Sequence, residues 1–191
     1  MPKFDVQQAI EINTPLQTVY AILADFRQWP IWSPWLCAEP ECSITYNGSA
    51  DSPGHSYAWQ GDVIGAGNMQ LTDRSDTTLT MDLTFLKPWK SSADVSFQLE
   101  SLESNKTRVS WLMHSQLPFF MFFMTSTFSA MIGADYRRGL MMLKEYAETG
   151  TVASNNTFDG VVAIDQTEYA GISGSACICL LYTSPSPRDR G

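Results

Sequence analysis

Apolar and polar residues alternate with a period of two in several stretches of the chain, a pattern that predicts β-strands with one buried face. In the first stretch the apolar positions are Phe4, Val6, Ile10 and Ile12. Shorter and weaker strand candidates lie around 43–46, 55–61 and 67–72, and three stronger ones around 78–85, 93–100 and 107–114. The pattern predicts an antiparallel meander with one apolar and one polar face.

Helical spacing occurs in two places. Residues 13–15, Asn-Thr-Pro, predict a helix start with a capping side chain and a proline in the first turn, and the helix would continue through 19–23. A second apolar stripe runs over 124–143 and predicts a helix that ends near Glu148, with Gly150 as its C-terminal cap. This helix would have about 30 residues and a length of about 45 Å. Together the patterns predict an α+β domain.

Residues 25–35 combine two prolines with three tryptophans, a composition that argues against a continued helix. They predict a loop that is held in place by large rings. Trp29, Trp32 and Trp35 are expected to plug one end of the sheet. In the alternative interpretation, Trp32 or Trp35 gates the mouth of a pocket.

Composition restricts the classes of function. Apolar residues make up 44% of the 191 residues, enough for a sizeable core, and the net charge of −8 without a basic stripe disfavours nucleic-acid binding. The four cysteines form no CxxC pair or His/Cys cluster, so we expect no metal and no cofactor. The N-terminus lacks a signal-peptide core, which favours a cytoplasmic location and free thiols. The uncharged stretch 117–134 contains several Ser and Thr residues, so we expect no stable membrane insertion.

A bent sheet cannot pack flush against a straight helix along its whole length, so a gap between them is expected. Its walls would come from the apolar faces, as in most small-molecule sites. The predicted ligand-binding residues on the sheet are Trp59, Leu83, Phe85, Phe97, Trp111 and Met113, and those on the helix side are Phe120, Met124, Phe128 and Met131. The alternative for each of them is plain core packing.

No catalytic residue is assigned. His55 and His114 lie on different predicted strands, neither beside a nucleophile, and His114 is expected to be solvated on a polar face. A buried Asp135 could reach Arg108 or Tyr57 inside the cavity, but base rates favour an ordinary surface ion pair. Three further carboxylates alternate away from the apolar faces and are predicted to be solvent charges: Glu11, Asp82 and Asp94.

Two segments carry a family resemblance. Residues 25–35 resemble the loop after the first helix in the SRPBCC superfamily, the START-like or polyketide cyclase/dehydrase-like proteins, and 131–144 are similar to their C-terminal helix. The resemblance covers 1–148. It implies a helix-grip fold, in which a curved antiparallel sheet wraps around a long C-terminal helix and encloses a deep hydrophobic cavity. The superfamily includes lipid carriers, hormone receptors and cyclases, so no single chemistry is implied.

The rest of the chain is expected to lie outside this domain. Residues 149–159 are a polar stretch without periodicity and are predicted to be a linker. Residues 160–178 resemble the first strand of a gyrase-inhibitor-like effector-binding domain, which would be truncated here. Residues 179–189 resemble a translated transposase adapter from a DNA sequencing library, so 179–191 are expected to be an adapter-derived, disordered tail.

The first functional hypothesis is a cytoplasmic binder of a small hydrophobic or amphipathic molecule. The second is an enzyme of the cyclase, dehydrase or hydrolase kind that uses polar side chains in the same cavity. The third is a regulatory module that binds another protein. Convergent titratable groups in the cavity would favour the enzyme, a wall of carbon atoms the binder, and a large exposed apolar patch the third. The oligomeric state is left open.

Overall fold

The computed structural model describes residues 3–50, 52–87, 90–116 and 125–154. Within these residues it contains seven strands and four α-helices. The strands are β1 (Lys3–Ile12), β2 (Ser43–Asn47), β3 (Ser56–Gln60), β4 (Ala66–Arg74), β5 (Thr78–Lys87), β6 (Ser91–Glu103) and β7 (Lys106–Gln116). The helices are α1 (Leu16–Ala24), α2 (Trp29–Trp32), α3 (Pro34–Ala38) and α4 (Thr125–Thr149).

The strands form one antiparallel sheet in the order β1-β7-β6-β5-β4-β3-β2. Strands β2 to β7 follow one another as hairpins, and β1 pairs with β7 at the far edge. Register shifts in the β4–β5 pair, at Ala66/Gly67 and Leu71/Asp73, are bulges of the kind that increase twist and bend a sheet. Helix α4 lies against β1 and the three short helices. The predicted α+β helix-grip architecture is therefore confirmed, with the strands close to their predicted positions.

The start of α1 differs from the prediction. Pro15 itself occupies the N-cap position, and no side chain caps the helix. The Thr14 hydroxyl instead donates to the carbonyl of Ala147 (3.2 Å), while the Thr14 carbonyl accepts from the Thr107 hydroxyl (2.8 Å). The predicted capping role was wrong because Thr14 joins the end of α4 to β7.

The segment around the three tryptophans is helical, so the predicted loop was wrong. A single 3-10 turn, Phe26–Gln28, leads into α2 and α3. Pro30 and Pro34 stand in the first turns of these helices, where proline costs no hydrogen bond. Trp29 and Trp32 are 1% and 0% exposed, whereas Trp35 is half-buried. The prolines thus start new helices and do not break an existing one.

The end of α4 agrees with the prediction. Gly150 has a φ of +80°, and its N–H donates to the Tyr146 carbonyl (2.8 Å), which is the expected glycine cap. The chain then turns back, because the Glu145 carboxylate accepts from the backbone N–H groups of Ala153 (2.8 Å) and Ser154 (3.3 Å). The described part of the predicted linker is therefore held against α4.

Candidate ligand-binding site

One part of the inner sheet face is an aromatic and aliphatic wall. Trp59 contacts Phe85 edge to face, with ring centroids 5.8 Å apart. The Trp59 indole lies over Gly67, where a Cβ atom would collide with the ring, and its N–H donates to the Ile64 carbonyl (3.4 Å). On β5, Leu83 is buried, whereas Phe85 is only half-buried. Phe85 thus keeps part of its surface accessible next to the buried Trp59 and Leu83.

Small residues lie beside this wall. In the sheet register Phe85 pairs with Gly67 on β4 and Ser91 on β6, and Leu83 pairs with Ala93. The Trp59 ring covers Gly67 and Ala93 is buried, whereas Ser91 is half-buried beside Phe85.

Phe97 and Trp111 belong to a different environment. They are 0% and 1% exposed, with ring centroids 4.8 Å apart. Trp111 also stacks on Tyr136 of α4 (4.0 Å, 18° between planes) and contacts Trp32 (5.8 Å). These two predicted lining residues therefore pack against the rings of Trp29 and Trp32.

The remaining predicted site residues are distributed as follows. Met113 is buried on β7, where it pairs with Val95 of β6. Met131 is half-buried on α4. Phe120 and Met124 lie outside the described residues, and for Phe128 only the backbone of α4 is described. The structure thus brings the sheet residues onto one face.

A glycine that sequence reasoning missed sets the distance between α4 and the core. A Cβ atom at Gly139 would lie 2.8 Å from the Trp111 ring and 3.1 Å from Cδ of Pro34. Both contacts are shorter than real Cβ atoms normally make. The signal in the sequence was a glycine inside a long helical pattern, which often marks a close approach.

His55 has a structural role. It is fully buried, its Nε2 accepts from the Phe26 N–H (3.2 Å), and its Nδ1 donates to the Asn47 carbonyl (3.0 Å). The imidazole also stacks on the Phe26 ring (4.8 Å). Both ring nitrogens are thus occupied by backbone groups, and the ring joins the 3-10 turn to the end of β2. His114, by contrast, is exposed and pairs with Asp5 (2.7 Å), in agreement with the predicted surface position.

Glu39 fixes the turn between β3 and β4, at the edge of the aromatic wall. Its carboxylate accepts from the backbone N–H groups of Asp62 (2.8 Å), Val63 (3.0 Å) and Ile64 (3.0 Å). Because the Ile64 carbonyl accepts from Trp59, this one carboxylate helps to position the indole. Sequence reasoning missed Glu39, since its partners lie more than 20 residues away.

Substitution of Glu39 by alanine is expected to release this turn. Hydrogen bonds to a charged acceptor contribute about 1.5–3 kcal/mol, so amide exchange at residues 62–64 should accelerate by roughly 10- to 100-fold. Hydrogen-exchange NMR measures this directly. Glu41→Ala, an exposed glutamate two residues later, is the matched control and should leave these amides unchanged. Unchanged protection in Glu39→Ala would contradict the assignment.

Asp135 does not form the surface ion pair that we expected from the usual exposure of charged residues. The side chain is 3% exposed, and burial raises the pKa of its carboxyl to about 7, although the Arg138 charge acts in the opposite direction. Its Oδ1 has no hydrogen-bond partner among the described residues. Arg108, one of the partners considered for a buried Asp135, pairs instead with Glu11 (2.9 Å). The sequence could not show which side of α4 the α2–α3 segment covers.

The other ionisable groups divide between interior and surface. Burial raises the pKa of Tyr57 and of Tyr136, so both phenols stay neutral. Glu11 forms ion pairs with Lys106 (2.7 Å) and Arg108, both of which lower its pKa, and two further carboxylates are exposed as predicted: Asp82 and Asp94.

In the described part of the chain no cluster of His, Cys, Asp or Glu could hold a metal ion. None of the described helices is both long enough and apolar enough to span a membrane.

Fold and site together define a helix-grip domain whose sheet and terminal helix enclose an aromatic, mainly apolar interior. Residues 3–148 match the model of the family described as polyketide cyclase / dehydrase and lipid transport, and the chain belongs to this family. Comparison with curated protein sequences finds no match.

Solved structures share the fold. The Aha1 dimer from Colwellia psychrerythraea is 20% identical, with 76% of this chain and 97% of that chain covered and a TM-score of 0.54. The Zhui aromatase/cyclase from Streptomyces sp. R1128 is 10% identical, with coverages of 76% and 94% and a TM-score of 0.58. A protein from Thermobifida fusca is 16% identical, with coverages of 75% and 92% and a TM-score of 0.58. At these identities the likeness concerns the fold alone.

Proposed function

We propose that this protein binds a small hydrophobic or amphipathic molecule between the inner sheet face and α4. The observation that carries the proposal is the half-buried Phe85 ring, set between Gly67 and Ser91 on an otherwise apolar wall. A large ring beside small neighbours, partly uncovered, offers apolar contact area to a ligand. Membership in a family described by lipid transport and polyketide cyclisation supports the same conclusion.

The proposed site occupies one end of the interior. Trp59, Leu83, Phe85 and Met113 would form its sheet side, and Met131 would face it from α4, with Phe120, Met124 and Phe128 as further proposed contacts. Trp29 and Trp32 fill the other end, and the predicted lining residues Phe97 and Trp111 would form the floor between the two.

Phe85→Ala is expected to weaken binding of the fluorescent dye Nile red by about five- to tenfold. The estimate assumes that about 1 kcal/mol of apolar contact is lost, since full burial of such a side chain is worth about 1.5–3 kcal/mol. Leu86→Ala is the matched control, because Leu86 is the next residue on β5 and is 47% exposed. A fluorescence titration of folded protein measures both. Equal affinity of the two variants would place the site elsewhere.

The second candidate function is an enzyme of the cyclase or hydrolase kind, and Asp135 is the observation that favours it. A buried carboxyl with a pKa of about 7 has the protonation equilibrium that a general acid or base needs near neutral pH. Turnover of a p-nitrophenyl ester by the wild-type protein, lost in Asp135→Asn, would favour this candidate over simple binding.

A further inference from the structure

Strand β2 stands at one end of the sheet and is paired with β3 alone. Among the described residues no strand lies against its outer side, and such an edge presents backbone N–H and C=O groups to another chain. The strand has five residues, an ordinary length, and pairs with β3 without a register shift. Strand β2 is therefore a regular edge that a further strand can extend.

The opposite edge of the sheet is protected. Helix α4 packs against β1, and Lys144 of this helix donates from Nζ to the Glu11 carbonyl (2.8 Å). Strand β1 also carries the charged side chains of Asp5 and Glu11. Charges and a covering element are usual means by which a sheet avoids pairing with another copy. Strand β2 contains no charged residue, no proline and no bulge, so it lacks these protections.

The inner side chains of β2 bring an apolar surface to this edge. Ile44 and Tyr46 pack against the hydrophobic core but stay half-buried, and the Tyr46 ring contacts Tyr57 of β3 with 6.5 Å between centroids. The Arg27 guanidinium lies over the Tyr46 ring (5.7 Å), and Asp25 pairs with it (3.6 Å), so its charge is balanced. Cross-strand pairs of β-branched and aromatic side chains stabilise a ladder, so both residues favour a partner strand with the same two types.

A second copy of β2 supplies these types. In an antiparallel pair, residues that face each other point to the same side of the sheet, so a symmetric pair that keeps both apolar faces inward must be centred on a residue. A centre at Thr45 gives the longest ladder, because all five residues of the strand then have a partner. In this register Ile44 of each copy faces Tyr46 of the other, and the two Thr45 residues face each other.

We infer that β2 is a self-association surface, through which two copies of this chain join their sheets by antiparallel pairing. A ladder of five residues is small beside the interfaces of about 1,200–2,000 Å² that stable complexes bury. The dimer is therefore weak, and it forms at protein concentrations of about 0.1–1 mM. The proposed ligand site takes no part in this pairing, so the experiment is done without ligand.

Opposite charges at the twofold axis test the inference. Thr45 is exposed and its neighbour on β3 is Ala58, so Thr45→Lys and Thr45→Glu should both fold, which thermal melting verifies. Each variant alone should associate about fivefold more weakly than the wild type, because like charges face each other across the axis. An equal mixture of the two should associate at least as strongly as the wild type, because opposite charges then face each other.

Sedimentation equilibrium at about 0.15 M salt measures these differences. The Debye length of about 8 Å screens the long-range repulsion between two copies of charge −8, but not side chains whose Cβ atoms are about 5 Å apart. Ala58→Lys is the matched control, since it adds a charge at an exposed position one strand further from the axis. Its two lysines would be three strand spacings apart, about 14 Å, so this variant should dimerise like the wild type.

A wild-type protein that stays monomeric at about 1 mM would overturn the inference. Equal association of Thr45→Lys alone and of the mixture would also overturn it, since the two residues 45 would then not face each other. Hydrogen-exchange NMR separates a second copy from another segment of the same chain. Protection of the β2 amides should rise with protein concentration, and protection that is independent of concentration would show that the chain covers its own edge.

Discussion

Trp111→Ala is expected to lower the free energy of unfolding by about 3–5 kcal/mol, the usual cost of replacing a buried tryptophan by alanine. Trp111 is 1% exposed and stacks on Tyr136 at 4.0 Å, so its removal leaves a cavity and detaches α4 from the sheet at one point. Denaturant unfolding followed by circular dichroism measures the difference. A loss of this size is a large fraction of the free energy of unfolding of an ordinary domain.

Trp35→Ala is the matched control for this substitution. Trp35 carries the same ring and contacts both Trp111 (5.8 Å) and Tyr136 (6.0 Å), but it is only half-buried. Its loss should therefore cost clearly less than the loss of Trp111. Equal destabilisation by the two substitutions would show that the stack on Tyr136 does not hold α4 in place.

If Trp111→Ala remains folded, it should also weaken Nile red binding more than Trp35→Ala does. Trp111 stands between the plug and the proposed site, and Trp35 packs against its ring from the α3 side. Equal binding by both folded variants would remove Trp111 from the proposed floor of the site.

The strands were predictable because burial of one sheet face imposes a period of two on the sequence. Leu79, Met81 and Leu83 all point to the interior, as their alternation with polar residues indicated. The long helix was predictable because burial of one helix face places apolar residues at helical spacing along the sequence. Neither pattern depends on which segments become neighbours, so both can be recognised in a single chain.

The region of the three tryptophans was less predictable, because proline has two opposite roles. Inside a helix it removes a hydrogen bond, but in the first turn it costs nothing. Pro30 and Pro34 take the second role, each at the start of a helix of five residues or fewer. Such short helices leave no periodic signal, so the sequence indicated only a break.

The polar features of the interior were not predictable from local pattern. Asp135 lies on α4, and α2 and α3, which contact this helix, come about 100 residues earlier in the chain. The position of His55 has a similar cause, since its hydrogen-bond partner Phe26 lies 29 residues earlier in the sequence but contacts it in the fold. Long-range packing decides such positions, and one sequence does not contain that information.

Asp135→Asn is expected to stabilise the protein at pH 8 by up to about 4 kcal/mol and to leave its stability near pH 4 almost unchanged. The native pKa of about 7 lies above the ordinary value of 3.8, so between these two values the native state binds more protons than the unfolded state. The stability of the wild-type protein must then fall as pH rises through this window. A pKa difference of about three corresponds to about 4 kcal/mol, an upper value because the site can relax.

The nearby groups do not mask this dependence. Cys37 on α3 has a pKa raised to about 11 by burial and Tyr136 has a raised pKa as well, so neither group titrates between pH 4 and 8. Asp94→Asn, at an exposed position on β6, is the control and should shift stability little at either pH. This prediction is tested by the free energies of unfolding of the wild type, Asp135→Asn and Asp94→Asn, measured at pH 4 and pH 8. A constant difference between Asp135→Asn and wild type across this range would mean that the buried carboxyl keeps an ordinary pKa, and that a partner for it exists in the folded protein.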